Sequence, residues 1–298
     1  EHSGGTRRIS EYEHMDVIVV ESFPKLGTLT AARFLEWVQQ HPGGVVSLPT
    51  GKTPQYFIAE VRRFLRNWNT NVVSRELESW GVDPSTYPDM NSLHFVQIDE
   101  FYPMNPRHTN SFYHYVYKYY LEGFGMDAEK ALLINTEDIG IPEGLDLEDV
   151  WGDEAVDLSL RHRHARTEHE KLRKEVLHSV DEWCSAYEAR IRELGGIGFF
   201  LGGIGPDGLI AFNVRGSDFY STTRLSPINY ETQAASASDL GGIEVAKKRL
   251  TITMGLSTIT FNRDCTAIVM AAGAAKAGIV ADAVQKKPDI RYPATALQ

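Results

Sequence analysis

The densest chemical signal in this chain is a glycine-rich turn that carries a single acid. Leu201-Gly-Gly-Ile-Gly-Pro-Asp-Gly-Leu-Ile-Ala-Phe-Asn213 continues an apolar run at 197–201. Gly202, Gly203, Gly205 and Gly208 let a ligand come close to the backbone. Asp207 is the only titratable group in the run. A parallel strand that ends this way presents backbone amides and a carboxylate to a ligand. A proton-handling side chain is expected just after Gly208, but Leu209 stands there. The turn alone is not read as a dinucleotide fingerprint.

Three other groups suit a small anion. Leu48-Pro-Thr-Gly-Lys-Thr-Pro54 lies between an apolar strand and a helical stretch. Its turn points amides toward a helix start, where anions are favoured. Thr50 and Thr53 add hydroxyls around Gly51, and Lys52 adds charge. The Walker spacing is absent, and a plain capping turn with Thr as N-cap uses the same residues. Gln97-Ile-Asp-Glu-Phe-Tyr102 puts Asp99 and Glu100 at the carboxyl end of a buried strand, where doubly wound sheets bind ligands. A partly desolvated Asp can take a carbon-bound proton; the alternative is that both acids cap a helix or pair with arginines. Ala271-Ala-Gly-Ala-Ala-Lys-Ala277 sets Lys276 after a glycine turn, within reach of an anion or on a solvated helix face. Together these residues describe a site for a small anionic ligand such as a sugar phosphate.

Alternating elements must position them. The patterning predicts strands at 15–20, 45–48, 93–98, within 191–201, at 250–254 and at 266–271. It predicts helices at 28–40, 55–68, 112–120, 166–192 and 273–284. That order suits a doubly wound α/β sheet. Residues 70–91 read as a polar surface excursion. Residues 136–170 start acidic and turn basic and His-rich. His162 and His164 have no nearby third ligand and read as solvated surface.

The 298 residues suffice for one large α/β domain or two small ones, and 42% apolar residues supply a core. A net charge of −10 with no basic patch argues against a nucleic-acid partner. Two cysteines without a disulfide or zinc spacing fit a reduced, cytoplasmic setting. No apolar run reaches membrane-spanning length, and the polar start at 1–13 lacks the apolar core of a signal peptide.

In order and content these motifs resemble the glucosamine-6-phosphate deaminases, with 6-phosphogluconolactonases as further relatives. The loops at 48–54, 99–100 and 201–213 carry the likeness. So do the runs Gly-Leu-Ser-Thr-Ile at 255–259, Gly-Ala-Ala-Lys-Ala at 273–277 and Pro-Ala-Thr-Ala-Leu-Gln at 293–298. The resemblance spans roughly 15–298. It implies a Rossmann-like three-layer α/β/α sandwich with a mostly parallel sheet. It implies conversion of glucosamine 6-phosphate to fructose 6-phosphate and ammonia, without cofactor or metal, in a homo-oligomer. Asp99 matches the isomerisation base, Asp207 the acid of the turn, and His108 the histidine of the loop after the Asp-Glu pair. Substrate contacts fall on Thr50, Gly51, Lys52, Thr53, Glu100, Ser111, Gly203, Gly205, Asn213 and Lys276.

Departures from the family are specific. Its turn reads Asp-Gly-His, and that histidine serves opening of the sugar ring; here it is Leu209. Its supporting glutamate is replaced by Val214. The arginine expected to grip the phosphate falls at Ala237, with Arg249 or Arg224 as substitutes. The stretch 136–170 reads as an insertion in a single domain, and the chain stops where the family has a further strand and helix, as a fragment would. The expectation is a deaminase slowed at ring opening. The alternatives are a sugar-phosphate-binding or regulatory module, or an isomerase or lactonase acting on a related sugar phosphate.

Overall fold

The computed structural model describes residues 13–298. The reading of the chain start as no signal peptide falls mainly on residues 1–12, outside them. Among the described residues eight strands form: β1 (Val45–Ser47), β2 (His94–Val96), β3 (Asp99–Tyr102), β4 (Ala131–Leu132), β5 (Phe199–Gly203), β6 (Arg224–Pro227), β7 (Leu250–Thr253) and β8 (Thr266–Met270). Five of them make a parallel sheet in the order β4-β2-β1-β5-β8. The order runs outward in both directions from β1 and β5. The carboxyl ends of that pair therefore flank the switch point where such sheets hold ligands.

Helices cover both faces of the parallel sheet. Phe23–Gln40 and Gln55–Asn67 pack on one side, burying Phe34, Phe57 and Phe64 with Phe95 and Phe199. Ser22 caps the first helix by accepting from the Lys25 amide, and Pro24 occupies its first turn. The 26-residue helix Glu168–Glu193 covers the other side, burying Val176, Leu177, Val180 and Ile191 against Phe200. Thr167 caps it, with acids in the first turn and Arg190 and Arg192 in the last, as the helix dipole favours. The three-layer α/β/α architecture is the expected one.

A second sheet, β3-β7-β6, is antiparallel and was not expected. Parallel β2 stops at Val96, and Asp99 opens β3 instead of ending β2. Residues 15–20 form no strand. The excursion at 70–91 contains the helix Asn71–Ser79, capped by Thr70, with Val73 and Leu77 in the core. The 112–120 helix is α only to Val116 and then takes a π turn, Tyr117–Leu121. The 273–284 helix is regular from Ala277. The 136–170 stretch is short turns around the helix Leu147–Trp151, and it buries Val150, Trp151 and Leu160. His162 and His164 are exposed on either side of Arg163, which pairs with Asp157 and Glu170.

Glu188 knits the long helix to the loops beneath the second sheet. It is buried, accepts from the Thr223 amide (3.1 Å), the Thr223 hydroxyl (2.9 Å) and the Thr258 hydroxyl (2.7 Å), and is paired with Arg192 Nε at 2.9 Å. Removing it leaves three donors and a cation without an acceptor, so Glu188→Ala is expected to cost about 3 kcal/mol of stability. Urea unfolding followed by circular dichroism measures this loss.

Candidate active site

Three loops meet at the carboxyl ends of β1, β5 and β8. Gly51 turns with φ of 88°, which favours glycine. Tyr115 donates from its hydroxyl to the Gly51 carbonyl at 2.9 Å, and Tyr120 donates to the Pro49 carbonyl, so the loop after β1 is held by the aromatic helix. The Thr53 hydroxyl lies 4.0 Å from where a side chain on Gly203 would begin, placing the loop against the end of β5. Lys276 donates to the Ile204 carbonyl and is half-buried, and that burial lowers its pKa. Thr50, Thr53, Gly203, Gly205 and Lys276 thus form one neighbourhood. Lys52 points away, 85% exposed, with its Nζ 3.8 Å from Asp239.

The glycine turn folds on itself. The Gly205 amide donates to the Leu209 carbonyl at 3.0 Å, and the Gly208 amide to the Gly205 carbonyl at 3.1 Å. The Leu209 side chain lies directly on Gly205, where an added Cβ would sit 2.4 Å from Leu209 Cγ. Gly203, Gly205 and Gly208 have the spacing of a dinucleotide-binding loop, yet no helix follows. Ile210 and Asn213 instead close an isolated bridge around Ala211, whose φ is 53°. That is a left-handed backbone on a non-glycine residue.

Asp207 is 9% exposed. Its Oδ2 accepts from the Asn229 amide group at 2.5 Å, and its Oδ1 is buried without a hydrogen-bond partner. Asn213 donates to the carbonyls of Ile210 (3.0 Å) and Met254 (2.9 Å) and accepts from Arg224 at 3.0 Å. It therefore ties the turn to β6 and β7.

The acids of β3 divide by face. Neighbouring residues on a strand point to opposite sides. Glu100 is buried and accepts from the Ser111 hydroxyl (2.7 Å) and the Tyr113 amide (2.8 Å). Burial raises its pKa to about 7 against these hydrogen bonds. Ser111 also caps the helix Phe112–Val116. Asp99, on the other face, is held well above the usual carboxylate range by burial and by the neighbouring charge of Glu100. It pairs in register with Thr253, which pairs in turn with Arg224. The Thr253 hydroxyl accepts from the Phe212 amide at 3.1 Å. One cross-strand contact therefore brings the glycine turn to Asp99.

Other predicted residues lie apart. His108 is exposed, and its ring nitrogen accepts from the Asn110 amide at 3.1 Å. Arg224 is committed to Asn213, and burial lowers its pKa. Arg249 donates to the Pro103 carbonyl at 2.8 Å, beyond the end of β3 away from Asp99. No group of metal-ligating side chains occurs among the described residues, and no helix among them is long and apolar enough to cross a membrane. The sequence reading missed Asn229 and Thr253. The Asn-Tyr-Glu-Thr run at 229–232 carries an N-cap signal, but its contact with Asp207 is long-range and leaves no local trace.

No protein-family model matches the chain. It is 25% identical over 289 residues, 95% of its length, to glucosamine-6-phosphate deaminase 2 of Bacillus subtilis, covering 91% of that protein. The chain is similar to the glucosamine-6-phosphate deaminases along nearly its whole length. The deaminase of Caenorhabditis elegans is 26% identical over 260 residues, covering 86% of this chain and 76% of that one. Among solved structures, a monomeric glucosamine-6-phosphate deaminase described within the NagB superfamily superposes with a TM-score of 0.68 at 20% identity, covering 93% of this chain and 90% of that one. The 6-phosphogluconolactonase of Trypanosoma brucei reaches 0.54 at 17% identity, covering 94% and 90%. At these identities the structural likenesses speak for fold.

Two outcomes follow from the geometry. Between about pH 4.5 and 7 folded Glu100 keeps a proton that the unfolded chain has lost. Its contribution to stability is full below about 4.5 and is lost as pH rises through about 7. Thermal melts across that range are expected to show a shallower fall for Glu100→Gln. Gly205→Ala drives a methyl into Leu209, so it is expected to lower the melting temperature by several degrees, read by the same melts.

Proposed function

We propose that this chain is an aminosugar-phosphate isomerase and deaminase that converts glucosamine 6-phosphate and water to fructose 6-phosphate and ammonia. The observation that carries the reading is the contact between Thr253 and Phe212, which sets the desolvated Asp99 beside the glycine turn and its acid. The relatives named for this reaction support it along nearly the whole chain.

The loop at 50–53 and Lys276 hold the phosphate, the loop through backbone amides and hydroxyls and the lysine as a point charge. Asp99, as carboxylate, takes the proton from C2 of the open-chain sugar and returns it to C1 through an enolamine. Water then adds to the resulting imine at C2, and ammonia leaves. Partial desolvation makes Asp99 a stronger base than an exposed carboxylate. Ring opening is the step without its proton carrier, because Leu209 lies where a histidine would serve and Val214 where its glutamate would be. The reaction then draws on sugar that opens slowly by itself. A cytoplasmic setting fits the two unpaired cysteines.

A second reading, sugar-phosphate binding without turnover, is favoured by one observation: the Leu209 side chain fills the space over Gly205. A coupled assay for ammonia decides between the two. Wild type is expected to release ammonia from glucosamine 6-phosphate, and Asp99→Asn to lower kcat by about 10²–10⁴. Leu209→His is expected to raise the wild-type rate. Binding by calorimetry with no ammonia above background would leave the second reading standing.

A further inference from the structure

Asn229 serves two partners at once. Its Oδ1 accepts from the Thr232 amide at 3.0 Å and so caps the helix Tyr230–Leu240. Its Nδ2 donates to Asp207 Oδ2 at 2.5 Å. The other Asp207 oxygen is buried and unpartnered. Among the described residues no other side chain donates to this carboxylate, and Leu209 on the same turn cannot.

The place of Asn229 is set from several sides. At the far end of its helix, the Asp239 carbonyl accepts from the Asn110 side chain and the Asp239 carboxylate lies near Lys52. At its two ends, Ile228 and Leu240 pack with Phe101, Met104 and Phe212. Phe212 belongs to the glycine turn and Phe101 to the strand of Asp99, so the helix carrying Asn229 rests on both acid-bearing segments.

We propose that Asn229 is a positioning residue for Asp207, fixing one carboxylate oxygen so that the other is presented to a hydroxyl or amine of the bound sugar phosphate. An ionised carboxylate only accepts hydrogen bonds, so the ligand group must be a donor. In this chain the support reaches Asp207 from across the site, in place of a donor at 209. The inference rests on the reading of Asp207 as part of a sugar-phosphate site.

Asn229→Asp separates positioning from capping. Aspartate caps helices as well as asparagine does, but its carboxylate has no N–H for Asp207 and repels it. The variant is expected to keep the helix cap and the wild-type affinity for inorganic phosphate, with a melting temperature no lower than that of Asn229→Ala. Its affinity for glucosamine 6-phosphate should fall about tenfold to a hundredfold at pH 8, with ammonia release falling at least as far. Wild-type affinity and turnover at pH 8 would overturn the proposal. So would a loss in Asn229→Asp and Asn229→Ala that merely tracks melting temperature, since Ala removes the cap as well. Wild type that binds the sugar phosphate but releases no ammonia counts against the reaction proposed above, and the affinity comparison still decides the role of Asn229.

Discussion

The hydrogen bond from the Phe212 amide to the Thr253 hydroxyl is the joint on which the site depends. The parallel sheet brings together the loops after β1 and β5 through ordinary strand pairing. It does not bring Asp99, which sits in the antiparallel sheet. Thr253 lies opposite Asp99 and grips Phe212 of the segment after the glycine turn, beside the bonds from Asn213 to the Met254 carbonyl and from the Met254 amide to the Ile98 carbonyl. The interior there is low in dielectric, and an unpaired amide would cost far more than on the surface. Registration of the two sheets is therefore specific.

Charge is organised around the same joint. The chain carries a net charge of −10, yet its site must hold an anion. Two buried acids stand on opposite faces of one strand. Glu100 is surrounded by donors from the next helix start and serves to anchor it. Among the described residues no such donor reaches the Asp99 carboxylate, which suits the proton transfer proposed for it. The positive side comes from amides and one half-buried lysine. Neighbouring carboxylates of one type thus take separate tasks because their hydrogen-bond partners differ.

Much of this was legible in the residues. Strands β1, β5, β7 and β8 are short apolar runs, and the glycine loops that follow β1 and β5 carry the local backbone signal. The helix expected over 166–192 forms as Glu168–Glu193, and its Thr167 cap and charged ends account for where it starts and stops. The antiparallel sheet was not legible. Asp99–Tyr102 follows β2 after two residues, and nothing local says that the chain changes sheets there; the pairing with Leu250–Thr253 is some 150 residues away. Residues 15–20 have strand-like composition, but among the described residues they form only an isolated bridge position at Ile18, so pairing and not propensity decides. The helix Asn71–Ser79 hid because only Val73 and Leu77 face the core. Asn229 is of a residue type that caps helices, but its second partner depends on tertiary placement.

Ala211 has a meaning beyond the site. Its φ of 53° puts a methyl-bearing residue where glycine rests easily, at a cost of roughly 1–2 kcal/mol in the native state. Glycine would relieve that cost but would let the unfolded chain wander more widely at this point. The loop between Asp207 and Asn213 is thus stiff by composition as well as by its bonds. Few side chains fit such a backbone, so position 211 tolerates few residue types, whereas the backbone at Leu209, two residues away, imposes no such restriction.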